Sequence, residues 1–194
     1  MTLTATSSLP RVAVAVGAHL RRRVITAVLT GGACVSVYTG GSYVSSDADF
    51  VIQGKVRQSA LDAALAELGF VRKGDRHVHP DVSFYLEFPP GPLAIGADLG
   101  IQPAEIVFAR HVALALSPTD SCRDRLAAFY HWRDRQSLQL AVDVARHQPV
   151  DLHAIRRWSR AEGHPEDCAE FLRELRRARE RHASRTRRRS RPTS

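Results

Sequence analysis

A chain of 194 residues with 44% apolar composition is long enough for one sizeable core, or for one core with a small helical bundle attached. It has no apolar run of membrane-spanning length, and Arg21–Arg23 follow the N-terminal apolar stretch, the reverse of a secretory signal. The expectation is a cytoplasmic protein with no membrane partner. The net charge of +8 is carried by residues 171–194, which hold ten arginines and two glutamates, so the neutral body ahead of them is not a basic nucleic-acid-binding domain. Cys34, Cys122 and Cys168 are odd in number and far apart, which fits neither a disulfide framework nor a zinc knuckle.

In chain order, Leu9 to about Arg23 reads as a helix. The run ITAVLTGG, residues 25–32, predicts a short strand halted by Gly31–Gly32. A short helix is expected over 33–38, broken by Gly40–Gly41, and DADFVI, residues 47–52, is a strand that begins polar and ends apolar. Val56, Leu61, Leu65 and Leu68 recur at helical spacing, predicting a helix over 55–68 stopped by Gly69. A strand follows at 70–72, HVHPD (77–81) reads as a turn or strand edge, and VSFYLEF (82–88) is a strand ended by PPGP. Short strands are expected at 106–107 and 112–116. Ser117 then caps a continuous helical pattern to Gln148, followed by helical units over 149–163 and 165–183. The segment after about Ala183, with its TRRRSRPTS run, has no apolar residue to pack and is expected to be disordered. The fold class expected is α+β: a mixed α/β domain over 1–116, a helical region over 117–183 and a basic tail over 184–194.

The chemistry concentrates in residues 31–49. Alternation along a strand puts Asp47 and Asp49 on one face and Ala48 and Phe50 on the other. Two carboxylates on one face repel each other unless a cation sits between them, and magnesium prefers carboxylate and phosphate oxygens. Glu87 is the one charge inside VSFYLEF; if its strand lies beside that of Asp47, three carboxylates converge. Gly31–Gly32 allows backbone N–H groups to approach phosphate at a helix start, with Ser45 and Ser46 as further donors or caps. The plain alternative is a solvated turn with no chemistry. Neither a nucleotide-binding P-loop nor a G-x-G-x-x-G fingerprint is present.

Gly31–Gly32–Ala33 followed by Ser46–Asp47–Ala48–Asp49 resembles the signature of the nucleotidyltransferase (DNA polymerase beta-like) superfamily, in particular the small bacterial members of the abortive-infection type. The resemblance covers about residues 12–145. It implies a mixed sheet with flanking helices, a nucleoside triphosphate (NTP) substrate, and two Mg2+ ions held by Asp47, Asp49 and a third acid. By position that acid is Glu87, with Asp98 as runner-up. It further implies phosphate contacts from Gly31, Gly32, Ser46, Arg123 and Arg125, and an acceptor hydroxyl on RNA, protein or a small molecule. Two departures stand out: Tyr43–Val44–Ser45 occupies the place of the family's basic residue, and Glu87 replaces the usual aspartate. They motivate the alternative, a catalytically inactive nucleotide- or RNA-binding regulator of the toxin–antitoxin type.

Three further patterns carry readings. Arg125 and His131 resemble the Arg-x(4–6)-His spacing of HEPN ribonuclease toxins, set against a surface arginine and a histidine among core aromatics. His77, His79 and Asp81 alternate on a candidate zinc-binding face, set against a solvated hairpin edge. The arginine-rich C-terminus is a candidate RNA contact through phosphates, set against a solubilising terminus.

Overall fold

A computed structural model describes residues 3, 4 and 6–189, with side chains to Ser184. Seven strands form one sheet in the order β3-β4-β5-β2-β1-β7-β6. They are β1 (Ala27–Leu29), β2 (Asp47–Ile52), β3 (Val71–Lys73), β4 (Arg76–Val78), β5 (Tyr85–Glu87), β6 (Ala104–Phe108) and β7 (His111–Ala115). The helices are α1 (Leu9–Arg22), α2 (Gly31–Tyr38), α3 (Gln58–Ala66), α4 (Pro118–Trp132), α5 (Arg135–His147), α6 (Leu152–Ala161) and α7 (Pro165–Arg189).

The sheet is mixed. β1 runs antiparallel to β2 and parallel to β7, and β2 runs parallel to β5. Helix α1 packs over β1 and β7, burying Val12, Val16 and Leu20, while α2 lies against β2. A core of Leu29, Ala48, Phe50 and Leu86 fills the space beneath the sheet centre, and Phe50 stacks on Phe88 at 5.6 Å. All three cysteines are buried and free. No helix among the described residues is long and apolar enough to cross a membrane.

Several elements differ from expectation, among them the strand expected over 82–88, which forms only over Tyr85–Glu87. Helix α2 begins at Gly31, so the glycine pair forms its first turn and does not precede it. HVHPD contributes a strand: β3 and β4 form a hairpin with Lys73 opposite Arg76 across Gly74–Asp75, a two-residue loop that the positive φ of Gly74 suits. The helical pattern after Ser117 is interrupted at Arg133, which adopts a left-handed conformation, and Asp134 caps a new helix by accepting from Gln136 N at 2.9 Å. Helix α7 continues to Arg189, so residues 184–189 extend a preceding amphipathic helix that buries Phe171, Leu175 and Ala178, where disorder was expected. Residues 190–194 of that expectation lie outside the described residues.

Candidate active site

The site is assembled by strand register. In the parallel pair β2–β5, Asp47 stands opposite Tyr85 and Asp49 opposite Glu87, with Ala48 and Leu86 pointing to the core between them. Paired residues share a face, so Asp49 and Glu87 are lateral neighbours and Asp47 lies two residues along. Oxygen atoms of Asp47, Asp49 and Glu87 lie within 4.8 Å of one another, the one such cluster among the described residues. The expected convergence of the three acids is therefore met.

The β1–β2 pairing brings the glycine pair to the same place. Leu29 pairs with Phe50, and Thr30 N donates to Asp49 O at 2.9 Å, continuing the ladder one residue past the strand. Gly31 follows with φ +63°, and a Cβ there would collide with Asp49 Oδ2. A side chain there would be strained by the backbone conformation and would force the Asp49 carboxylate to move. At Gly32 a Cβ would stand 2.8 Å from Ser45 Oγ. The N-terminus of α2 thus abuts the acids, with its first N–H groups free of side-chain caps.

Electrostatics mark the cluster. Burial first, then the charges of Asp47 and Glu87, push the Asp49 carboxyl up to about 6; Arg125 partly opposes this. Three hard oxygen donors under mutual repulsion fit a divalent cation, while the partially positive N-terminus of α2 beside them favours an anion. Ser45 Oγ donates to Asp47 Oδ1 at 2.6 Å and fixes that carboxylate. Ser46 is exposed, and its carbonyl accepts from Tyr85 N, so Ser45 and not Ser46 is the serine that touches the acids.

The two candidate arginines separate. Arg125 on α4 is largely buried, pairs with Asp124 at 2.7 Å and feels Asp49. Its burial works against the charge, but Asp124 and Asp49 outweigh that and hold the guanidinium above its ordinary pKa. Arg123 faces elsewhere: it pairs with Asp98 and with Asp120 (2.8 Å), and its guanidinium lies 5.1 Å over the Trp158 ring. Asp98 is consequently engaged by Arg123 and is outside the acidic cluster.

Arg76 was missed. It lies opposite Glu87 across β4–β5, its Nε stands 3.1 Å from Glu87 Oε1, and its guanidinium sits 4.3 Å over Tyr85. The Gly74–Asp75 hairpin loop was the available signal, because it fixes β4 and hence the side chain beside Glu87.

The other patterns resolve structurally. His77 is buried with Nε2 2.7 Å from Asp62 Oδ1, and His79 packs edge-on against Phe70, so they do not join Asp81 as a metal cluster among the described residues. His131 packs against Trp132 and His164 at the exposed end of α4, while Arg125 faces Asp49.

Comparison with family models and with curated proteins gives no match. Among solved structures, the chain resembles an antigenic nucleotidyltransferase-like protein from Paracoccidioides brasiliensis, with 16% identity, 93% of each chain covered and a TM-score of 0.58. ANT(2″)-Ia in complex with adenylyl-2″-tobramycin matches at 16% identity over 82% of this chain and 94% of that one, with a TM-score of 0.48. The solution structure of the antibiotic-resistance factor ANT(2″)-Ia matches at 17% identity over 89% and 91%, with a TM-score of 0.43. On the first of these, with the α+β sheet and C-terminal helical region described above, the chain has a nucleotidyltransferase-like fold.

Proposed function

We propose that the protein transfers a nucleoside monophosphate from an NTP to an acceptor hydroxyl, releasing pyrophosphate. The observation that carries this reading is the convergence of Asp47, Asp49 and Glu87 within 4.8 Å on a nucleotidyltransferase-like fold. These three would hold magnesium, two ions in the active complex, with Glu87 on the acceptor side. Bound there, magnesium supplies charge neutralisation for the triphosphate and activation of the attacking hydroxyl. The chain's own contribution is positional. Gly31 and Gly32 open α2 toward the acids and offer backbone N–H groups to phosphate. Ser45 orients Asp47, and Arg125 offsets part of the local negative charge. Arg123 is assigned here to structure, holding the segment around Asp98 to α4.

The acceptor class is open to RNA, protein or small molecule. RNA is favoured by the exposed Arg173, Arg176, Arg177 and Arg181 of α7, and by a groove of about 580 Å³ against α5 lined in part by Arg146, Arg177 and Arg181. A regulator on the same scaffold, binding nucleotide without transfer, is the second reading. It is favoured by the Arg76–Glu87 ion pair, which engages the third acid within the chain.

The test is calorimetry with NTP and magnesium on wild type and on Asp47→Asn/Asp49→Asn, followed by label transfer to cell-extract acceptors. Metal-dependent binding lost in the variant, with label transfer, supports the enzyme. Binding without transfer favours the regulator, and no metal-dependent binding refutes the enzyme.

A further inference from the structure

Arg76 is, among the described residues, the one cation within ion-pair distance of a cluster carboxylate. Three features fix its place. It is the cross-strand partner of Glu87 in β4–β5, its Nε lies 3.1 Å from Glu87 Oε1, and its guanidinium rests 4.3 Å over the ring of Tyr85, the residue opposite Asp47. Its side chain stays 48% exposed, so it remains reachable from solvent. Asp75 approaches at 3.9 Å but is itself 89% exposed and competes weakly for the guanidinium.

A fixed positive charge at this position acts oppositely on two ligands. It repels a bare divalent cation and ties up one of the three carboxylates that the cation would use. It attracts a polyanion lying over the same acids. Arg125, on the α4 side of the cluster, is ion-paired to Asp124 and lies beyond ion-pair distance of the three acids, so it offsets their charge only in part and ties up none of their oxygens.

We propose that Arg76 makes divalent-cation binding at the acidic cluster conditional on a triphosphate: it holds Glu87 against the bare cation and turns to the phosphates of the incoming nucleotide. The inference rests on the nucleotidyltransferase reading above. It assigns Arg76 as an anion-recognition and positioning residue, a role given to no other side chain of the sheet. Tyr85 serves as the platform that keeps the guanidinium at the mouth of the site when Glu87 is released.

The test compares wild type, Arg76→Met and Arg76→Lys by calorimetry. One series uses Mg2+ alone. The other uses non-hydrolysable analogues of the four common NTPs in saturating Mg2+. Loss of the charge gives a crossed result: Arg76→Met binds Mg2+ alone about three- to tenfold more tightly and the Mg2+–triphosphate analogue about three- to tenfold more weakly. Arg76→Lys keeps the wild-type affinity for Mg2+ alone, because it keeps the charge, and recovers only part of the analogue affinity, because it lacks the planar fork. Parallel weakening of both ligands in Arg76→Met would make Arg76 a merely structural residue and overturn the proposal, as would no change in either. If wild type itself binds no analogue in a metal-dependent way, the underlying nucleotidyltransferase reading falls first. If wild type binds and the crossing is absent, only the role of Arg76 falls.

Discussion

Replacing Asp49 by asparagine should stabilise the protein while destroying its site. The Asp49 carboxyl is raised from 3.8 to about 6 by burial and by its neighbours Asp47 and Glu87. Between about pH 4 and pH 6 the folded protein therefore keeps a proton that the unfolded chain has lost, so stability falls as pH rises through that window and stays reduced above it. A rise from 3.8 to about 6 corresponds to about 3 kcal/mol. Asp49 is only partly buried, and solvent screening reduces the usable value to about 1–2 kcal/mol. Asparagine is nearly isosteric beside Gly31 and can donate to the remaining acids. In chelator at pH 7.5, urea or thermal unfolding should show Asp49→Asn more stable by about 1–2 kcal/mol, or about 3–6 °C for a chain of this size. The difference should shrink as pH falls through the window and vanish only below about pH 3, where the wild-type carboxyl is protonated in both the folded and the unfolded state. Added magnesium with NTP should raise the wild-type midpoint and leave the variant unmoved. A variant no more stable than wild type at pH 7.5, or an advantage that persists undiminished below about pH 3, would refute the electrostatic origin of the Asp49 shift.

Further outcomes follow from the same geometry. Gly31→Ala places a Cβ into Asp49 at a positive φ; it should cost about 2–3 kcal/mol in unfolding experiments and remove metal-dependent triphosphate binding. Arg123→Met leaves Asp98 and Asp120 without their buried partner. It should lower stability by about 2–4 kcal/mol while triphosphate affinity of the folded protein, measured by calorimetry well below the melting point, stays within about twofold. Deleting residues 184–194 should weaken RNA binding and flatten its dependence on salt concentration in filter-binding assays; unchanged binding would remove the C-terminal arginines from the RNA contact.

What could be read from the sequence was local. The strand of Ala27–Leu29, the glycine pair and the alternation of Asp47 and Asp49 are patterns within about twenty residues, and the structure keeps them nearly in place. Glu87 was legible as a candidate because it is a lone charge in an apolar run. Its pairing with Asp49 depends on a parallel contact that no short-range signal encodes. The arginines show the limit most clearly. Arg123 and Arg125 are two residues apart, so on a helix they point to nearly opposite sides. Which one meets the acids is decided by the face of α4 that buries Cys122, Leu126 and Phe129. Asp134 broke the expected long helix because its carboxylate caps a new N-terminus in preference to continuing the old turn. Arg76 was hidden by the reading of residues 77–81 as a turn or strand edge, which left β4, and its neighbour Glu87, unpaired.

The central claim is that Asp47, Asp49 and Glu87 form one divalent-cation site that serves a bound triphosphate. Calorimetric titration of Mg2+–NTP into wild type and into Asp47→Asn/Asp49→Asn tests it most directly. The account predicts saturable binding by wild type that chelator abolishes and that the double variant lacks. Equal binding by both proteins, or wild-type binding that persists in chelator, would contradict it.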